Sequence, residues 1–379
     1  MLWLKRFQLS MIHVAVTLTA VPMENVLNRV MIHEYHFSAL LVAFFLSIPY
    51  ISSPVQAWIG ALSDRGPFFR LHRTPYIAAG IFLCAVGVVL APWAVLYMKE
   101  HFAGGVFLSV LAFGCWGMGF NLATVSYFSL ASEVSGPNEK ARTIAMMFIL
   151  MIASVIAASI LLSRRLDPFS TGTLVSSFYL MGGIALVLGW TALLGLEKKE
   201  KSAAGKRPSP KTPRVSPFRE LFQNKSLLLF FFYLFFLLVP LLGQDLLIEP
   251  FGAQVFGMSV KETTRLSSIW GTGVLLSMVL GAIIERNSNR RVLILFGSWI
   301  VLLSLTGLLL SGLAANKHLF YSLLLLMGIG TGLSTVSNLS LMLDMTSPGK
   351  VGAYMGLWGM ADTLARGLGN LFNGALLDL

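Results

Sequence analysis

Eleven stretches of about twenty mostly apolar residues follow one another along this chain. They lie near 7–32, 38–62, 74–98, 104–133, 142–163, 173–196, 226–248, 262–285, 291–313, 318–345 and 351–374. A stretch of that length matches the ~30 Å hydrocarbon core of a bilayer when it is helical. Inside hydrocarbon the backbone must satisfy its own hydrogen bonds, which leaves helices or closed barrels. The runs are too long for barrel strands and do not alternate, so helices are expected. Composition agrees: 56% of residues are hydrophobic and only 12% charged, against about 25% charged in a soluble domain. The expected fold class is an all-α membrane protein. Lys5 and Arg6 before the first stretch mimic a secretory signal. That stretch, however, runs past Met31 and carries Pro22, Glu24, Asn25, Asn28 and Arg29, so it is expected to be a first transmembrane helix.

The net charge of +11 would suggest nucleic acid in a soluble protein. Here the basic residues sit in short loops and no nucleic-acid partner is expected. The N-terminal tail, the even-numbered loops and the segment up to Lys225 hold 20 of the 28 lysines and arginines. By the positive-inside rule these are expected to be cytoplasmic. One break stands out. Glu197 to Phe218, EKKEKSAAGKRPSPKTPRVSPF, is basic and rich in Pro, Ser and Gly, as a solvated linker is. The expected organisation is a six-helix half at 1–196, a basic linker at 197–225 and a second half at 226–379. Cys84 and Cys115 lie within apolar stretches and form neither a disulfide framework nor a metal motif.

The two halves echo each other. Gly117–Pro137, GMGFNLATVSYFSLASEVSGP, and Gly328–Pro348, GIGTGLSTVSNLSLMLDMTSP, agree at nine of 21 positions without a gap, an offset of 211. Gly60-Ala-Leu-Ser-Asp-Arg65 pairs likewise with Gly281-Ala-Ile-Ile-Glu-Arg286, an offset of 221. The glycines shared by the fourth and tenth helices are expected to permit close helix packing.

The loop 60-GALSDRGPFFRLHR-73 resembles the signature loop of the major facilitator superfamily, G-x-L-[AS]-D-R-x-G-R-[RK]. That resemblance implies two six-helix repeat halves and a cytoplasmic latch made by Gly60, Asp64, Arg65, Arg70 and Arg73. Pro67-Phe68-Phe69 separates Gly66 from Arg70 and departs from the pattern. Only five helices follow the linker, so the twelfth helix of that plan is expected to be absent from this chain. Four further segments resemble the PucC-type bacteriochlorophyll delivery family: 27-LNRVMI-32, 72-HRTPYI-77, 249-EPFGAQVFGMSV-260 with 261-KETTRL-266, and 356-GLWGMADTLARGLGN-370. The resemblance implies a protein that assists assembly of light-harvesting antennae, integral to a bacterial inner or photosynthetic membrane. Its partners would be a tetrapyrrole pigment, antenna polypeptides and the lipid bilayer, with (bacterio)chlorophyll as cargo and no resident cofactor.

Ionisable residues in membrane helices are costly and mark functional paths by default. Helix 1 carries Glu24 and Asn28, and Asn25 and Arg29, each pair four apart and on one face. Helix 7 carries Gln244, Asp245 and Glu249 at an offset of 220 from Glu24, Asn25 and Arg29. Pro22 and Pro240 precede the two clusters and are expected to break each helix. Arg29 and Glu249 either pair between the halves or stand solvated at the outer interface. Helix 11 carries Asp362 and Arg366, four apart, as an intrahelical pair or as a cargo contact. Asn121 is an oxygen candidate for a magnesium centre. His13, the one histidine deep in a helix, is the candidate pigment ligand, with helix packing as the plainer account. The sequence has no P-loop, no Ser-His-Asp set and no metal cluster, so neither an enzyme nor an ATP-driven pump is expected. The rival expectation is a proton-coupled secondary transporter of a small molecule. Reporter fusions after Leu4 and within 201–216 should both report the cytoplasm, and an external signal from either refutes the assigned topology.

Overall fold

The computed structural model describes residues 2–53, 55, 59, 71–135, 140–197, 225–243, 245–284, 290–345 and 351–378. Twelve α-helices occur among them: α1 (Leu2–Val21), α2 (Ala39–Ile51), α3 (Thr74–Glu100), α4 (Phe102–Ser135), α5 (Lys140–Arg165), α6 (Thr171–Leu193), α7 (Lys225–Gly243), α8 (Asp245–Phe256), α9 (Val260–Ile284), α10 (Arg290–Leu313), α11 (Lys317–Met345) and α12 (Val351–Leu377). Each expected stretch coincides with one of these rods, with α7 and α8 sharing the seventh. No strand occurs among the described residues. Seven of the helical segments are long and apolar enough by themselves to cross a membrane.

The first and seventh stretches are the irregular ones, as their prolines predict. After Val21 the backbone widens into two π-helical segments, Pro22–Leu27 and Val30–Glu34. In the seventh stretch α7 ends at Gly243 and α8 begins at Asp245, with Pro250 inside it. Such π segments concentrate at functional sites. Here the first segment holds Glu24 and Asn25, and Asn28 and Arg29 lie between the two.

Packing follows the repeat. α3 lies along α4, α6 covers α1 and α3, and α5 packs on α1; α9 and α10 both pack on α11, and α7 on α12. Gly117 of α4 faces α2, where an added Cβ would lie 2.8 Å from the Pro49 Cα. Gly328 of α11 faces α9 in the same way, against the Trp270 carbonyl. Pro49 and Trp270 differ by 221, the offset expected from the loop motif. Two residues on, Gly119 faces α3, where an added Cβ would lie 2.5 Å from the Cys84 nitrogen, and Gly330 faces α10, where one would lie 2.8 Å from the Gly297 carbonyl oxygen. Small residues at these sites let the backbones touch, so packing accounts for these four glycines.

Across the two groups, α5 packs on α9 and α2 on α12. The α5–α9 contact carries polar ties where α5 ends and α9 begins. Ser163 Oγ donates to the Lys261 carbonyl at 2.7 Å, and Lys261 Nζ reaches Asp167 Oδ2 at 2.7 Å. Large apolar side chains on the outer faces, such as Phe107, Trp299, Leu303 and Phe236, remain exposed, as lipid contact requires.

Overpacking of a filled helix contact costs about 1–3 kcal/mol. Gly119→Val should therefore lower the melting temperature in detergent clearly. Gly114→Val, where a Cβ meets open space, should leave it nearly unchanged.

Candidate functional site

Four of the expected site residues gather around one that the sequence did not flag, Tyr50. It follows Pro49 near the end of α2, and its hydroxyl donates to Glu24 Oε1 on the first π segment. The guanidinium of Arg366 lies over its ring, Cζ 5.9 Å from the centroid. Arg366 Nε is in turn 3.5 Å from Asp362 Oδ2, the intrahelical pair expected from their spacing. Asn121 of α4 completes the neighbourhood: its Nδ2 donates to the Pro49 carbonyl at 2.9 Å and to Ser52 Oγ at 3.0 Å. That carbonyl stands where α2 ends, and Asn121 supplies a donor that the helix no longer provides.

The cluster sits deep. Glu24, Tyr50 and Arg366 are ten or eleven residues from the ends of their rods at Glu34, Ala39 and Leu377. At 1.5 Å per residue this is about 15–17 Å, half the hydrocarbon thickness. Asp362 and Arg366 remain more than a quarter accessible at that depth (28% and 27%).

A second polar group lies nearer the rod ends. Asn25 Nδ2 donates to Ser267 Oγ of α9 at 2.6 Å, and Ser267 Oγ donates to Glu249 Oε1 of α8 at 3.1 Å. Arg29 pairs with Glu34 on its own helix and donates from Nη2 to the Met258 carbonyl at 3.1 Å. Arg29 and Glu249 are 2% and 4% exposed, which excludes solvated positions for them. They enter one cluster, joined to it through Met258 and Ser267 respectively. Asn28, on the same segment, is fully buried. Ser267 carries no signal in the sequence, and Met258, although inside the 249–260 segment, acts through its backbone carbonyl, which has no residue-type signature.

His13 stands apart from both groups. It is buried between α1, α4 and α5, with the rings of Tyr127, Phe128 and Phe148 centred 5.1, 5.7 and 5.5 Å away. Among the described residues no group of three or more His, Cys, Asp or Glu is placed to hold a metal ion. Of the expected latch, Gly60, Asp64, Arg65 and Arg70 lie outside the described residues, as do Gln244 and the side chain of Asp245. Arg73 is described, and its Nη2 meets Glu133 Oε1 at 3.0 Å. Beside it, Glu197 caps α3. It accepts from the backbone N–H groups of His72 (2.7 Å), Arg73 (3.2 Å) and Thr74 (2.9 Å), and from the Thr74 hydroxyl (2.8 Å). Burial alone would raise the Glu197 pKa, but these donors at a helix start outweigh it and hold the carboxyl below its usual range.

Helical throughout the described residues, with polar groups gathered between α2, α4, α12 and the π segments, the chain has the fold of major facilitator superfamily transporters. Solved structures agree. The chain superposes on a D-xylose–proton symporter with a TM-score of 0.74 at 13% identity, covering 97% of this chain and 89% of that one. On a bacterial homologue of the human lysosomal transporter Spinster, inward-facing and unoccupied, the TM-score is 0.73 at 14% identity, covering 98% and 81%. Within that fold the chain belongs to the PUCC protein family, whose profile matches residues 26–379. It is 29% identical to the bacteriochlorophyll synthase 44.5 kDa chain of Rhodobacter capsulatus, over 100% of this chain and 88% of that protein. It is 27% identical to an uncharacterized protein of the puhA-bchM intergenic region of Rhodobacter capsulatus, over 98% and 80%. To protein PucC of Cereibacter sphaeroides it is 26% identical, over 99% and 83%.

Because the Glu197 pKa is lowered, its contribution is full above the unfolded carboxylate range and is lost as pH falls through the folded value. Glu197→Gln should destabilise by about 1 kcal/mol at neutral pH. The gap from the parent should close in acid, as read by thermal unfolding across pH. A gap independent of pH would refute this origin.

Proposed function

We propose that this protein holds a chlorophyll-type tetrapyrrole between its halves and passes it to antenna polypeptides during assembly of light-harvesting complexes. Membership of the PUCC family across residues 26–379, with a relative named for bacteriochlorophyll, is the observation that carries this reading. The mid-membrane cluster suits such cargo chemically. A tetrapyrrole is a flat apolar body with a few polar groups and a hard magnesium centre, for which carboxylate or amide oxygen is a suitable ligand. Among the described residues Glu24 and Asp362 are carboxylates at half depth, and Arg366 offers a donor fork to a carbonyl or carboxylate of the cargo. The protein performs no covalent chemistry in this reading. It works in a photosynthetic membrane with its N-terminus and linker in the cytoplasm.

A second reading is proton-coupled transport of a small molecule. The observation favouring it is Glu24 itself, a membrane carboxylate hydrogen-bonded by Tyr50 and close to the Asp362–Arg366 pair. Such groups serve as proton relays in transporters.

Purification in mild detergent from a pigment-producing phototroph, followed by an absorption spectrum, separates these readings. A stoichiometric tetrapyrrole band, lost in Glu24→Gln or Arg366→Leu, is the expected result. A pigment-free protein that brings antenna polypeptides with it would make it an assembly scaffold. Neither pigment nor polypeptide would leave small-molecule transport.

A further inference from the structure

We infer that the corner formed by the end of α5 and the starts of α9 and α11 is a binding site for the headgroup of an anionic phospholipid. This inference is independent of the cargo and of the mid-membrane cluster.

The N-terminal tail, the even-numbered loops and the linker hold most of the lysines and arginines. Five of the remaining ones meet at this corner, on the side opposite the linker. Arg164 and Arg165 close α5, Lys261 and Arg265 stand four apart in the first turns of α9, and Lys317 opens α11. Two ion pairs tie the three helices together. Lys261 Nζ reaches Asp167 Oδ2 at 2.7 Å, and Lys317 Nζ lies 3.9 Å from Glu262 Oε1. Glu262 is also engaged in capping α9, where it accepts from the Ser259 N–H at 2.8 Å. Tyr321, one turn along α11 from Lys317, stands within electrostatic reach of both Glu262 and Arg265. Arg164, Arg165 and Arg265 are exposed. None of the three makes an ion pair among the described residues, so five cations share two carboxylates.

The repeat supplies an internal control. An offset of 221 carries α2 onto α9, and an offset of 211 carries α4 onto α11 and α5 onto α12. The counterpart corner lies at the starts of α2 and α4 and the end of α12. It is built the same way: Ser38 caps α2 as Ser259 caps α9, and Asp378 takes the place of Asp167. The five positions equivalent to the cations are Leu40, Phe44, Val106, Ala375 and Leu376. The fold therefore builds this corner with no cation at any of the five positions. Where the cations do occur they repel one another, so their presence calls for an anion that the chain does not supply.

Depth and surroundings identify that anion. α5 and α11 are long and apolar enough to cross a membrane, and the cations occupy their end turns, at the level of lipid headgroups. Four residues before Arg164 and Arg165, on the same helix face, α5 exposes Ile160 and Leu161. Cations set over lipid-facing apolar side chains suit a molecule with a charged head and acyl tails. An acidic polypeptide segment would use the cations but not the apolar strip beneath them. Guanidinium groups hold phosphate through paired N–H donors. A headgroup of net negative charge offsets the local excess, whereas a zwitterionic one brings its own cation.

The test uses the full chain in detergent, with dioleoyl phosphatidylglycerol and dioleoyl phosphatidylcholine as probes that share the same tails. Native mass spectrometry during titration reads the lipid retained. Phosphatidylglycerol should bind about tenfold or more tightly than phosphatidylcholine, and added salt should shrink the difference. A basic residue near a charged lipid surface is worth about fivefold. Arg164→Gln, Arg165→Gln and Arg265→Gln together should therefore abolish the preference. Lys198→Gln, Lys199→Gln and Lys201→Gln remove the same charge from the linker and should leave it intact. Equal binding of the two lipids by the parent, or an undiminished preference in the arginine variant, overturns the inference. A preference lost in the linker variant instead, or displacement of the lipid by millimolar inorganic phosphate, overturns it as well. The arginine substitutions keep both ion pairs and alter only exposed side chains, so the lipid-free melting temperature should hold. Should the triple variant fail to fold, Arg165→Gln alone takes its place, with about a fivefold loss expected.

Discussion

Hydrocarbon offers no partner to an unpaired polar group, and this structure is organised around that constraint. Among the described residues, the deep ionisable side chains discussed above each meet a partner on another helix or one turn away. Glu24 is met by Tyr50, Arg366 by Asp362, and Arg29 by Glu34 and the Met258 carbonyl. An isolated charge at the middle of a membrane helix costs about 2.5–3.5 kcal/mol even on lenient scales. Partnering lowers that cost without abolishing it. A chain kept only for its fold would do better with leucine at these positions, so the retained charges point to use rather than to stability.

Backbone contact is the second constraint and sets where the charges can meet. The glycines of α4 and α11 bring four helix pairs together closely, in one pattern repeated at offsets of 211 and 221. The α2–α12 seam uses glycine for the same purpose, but between halves rather than within one. The repeat relates the contacts between the halves as well: an offset of 221 carries α2 onto α9 and an offset of 211 carries α5 onto α12, so the α2–α12 and α5–α9 contacts are counterparts.

Much of this was legible in the sequence. Apolar length located every rod, because a bilayer fixes how long a crossing helix must be. Pro22 and Pro240 marked the two irregular rods. The Asp362–Arg366 pair followed from spacing, since residues four apart share a helix face whatever surrounds them. The functional neighbourhood was less legible. Tyr50 looked like one aromatic among many in an apolar helix, and its role depends on Glu24 and Arg366, which lie in other helices. Ser267 stands 242 residues from Asn25, and no periodicity within a helix encodes such a meeting. Glu197 read as the first charge of a linker, whereas it caps α3, because its partners are backbone N–H groups that carry no residue-type signature. The matched offset of helices 1 and 7 suggested that Arg29 and Glu249 would meet. It could not reveal that the π segment gives Arg29 an acidic partner five residues ahead on its own helix.

The π segments explain how one short stretch after α1 serves several neighbours. Consecutive residues of a helix point about 100° apart, so Glu24 and Asn25 face different elements, α2 and α9. Arg29, a turn further on, reaches the Met258 carbonyl just after α8. A regular helix places residues three and four apart on one face. The widened turn brings Glu34, five residues on, to Arg29 instead, and the i+4 position, His33, stands beside it, with Nδ1 3.6 Å from Glu34 Oε1. The segment that follows α1 can therefore keep its arginine neutralised from within while spending the guanidinium's other donors on the second half. A partner supplied by the second half would be lost whenever the halves separate, leaving a buried charge exposed to hydrocarbon. A partner on the same helix travels with it. The irregular backbone thus lets a buried arginine take part in a contact that can break without stranding its charge.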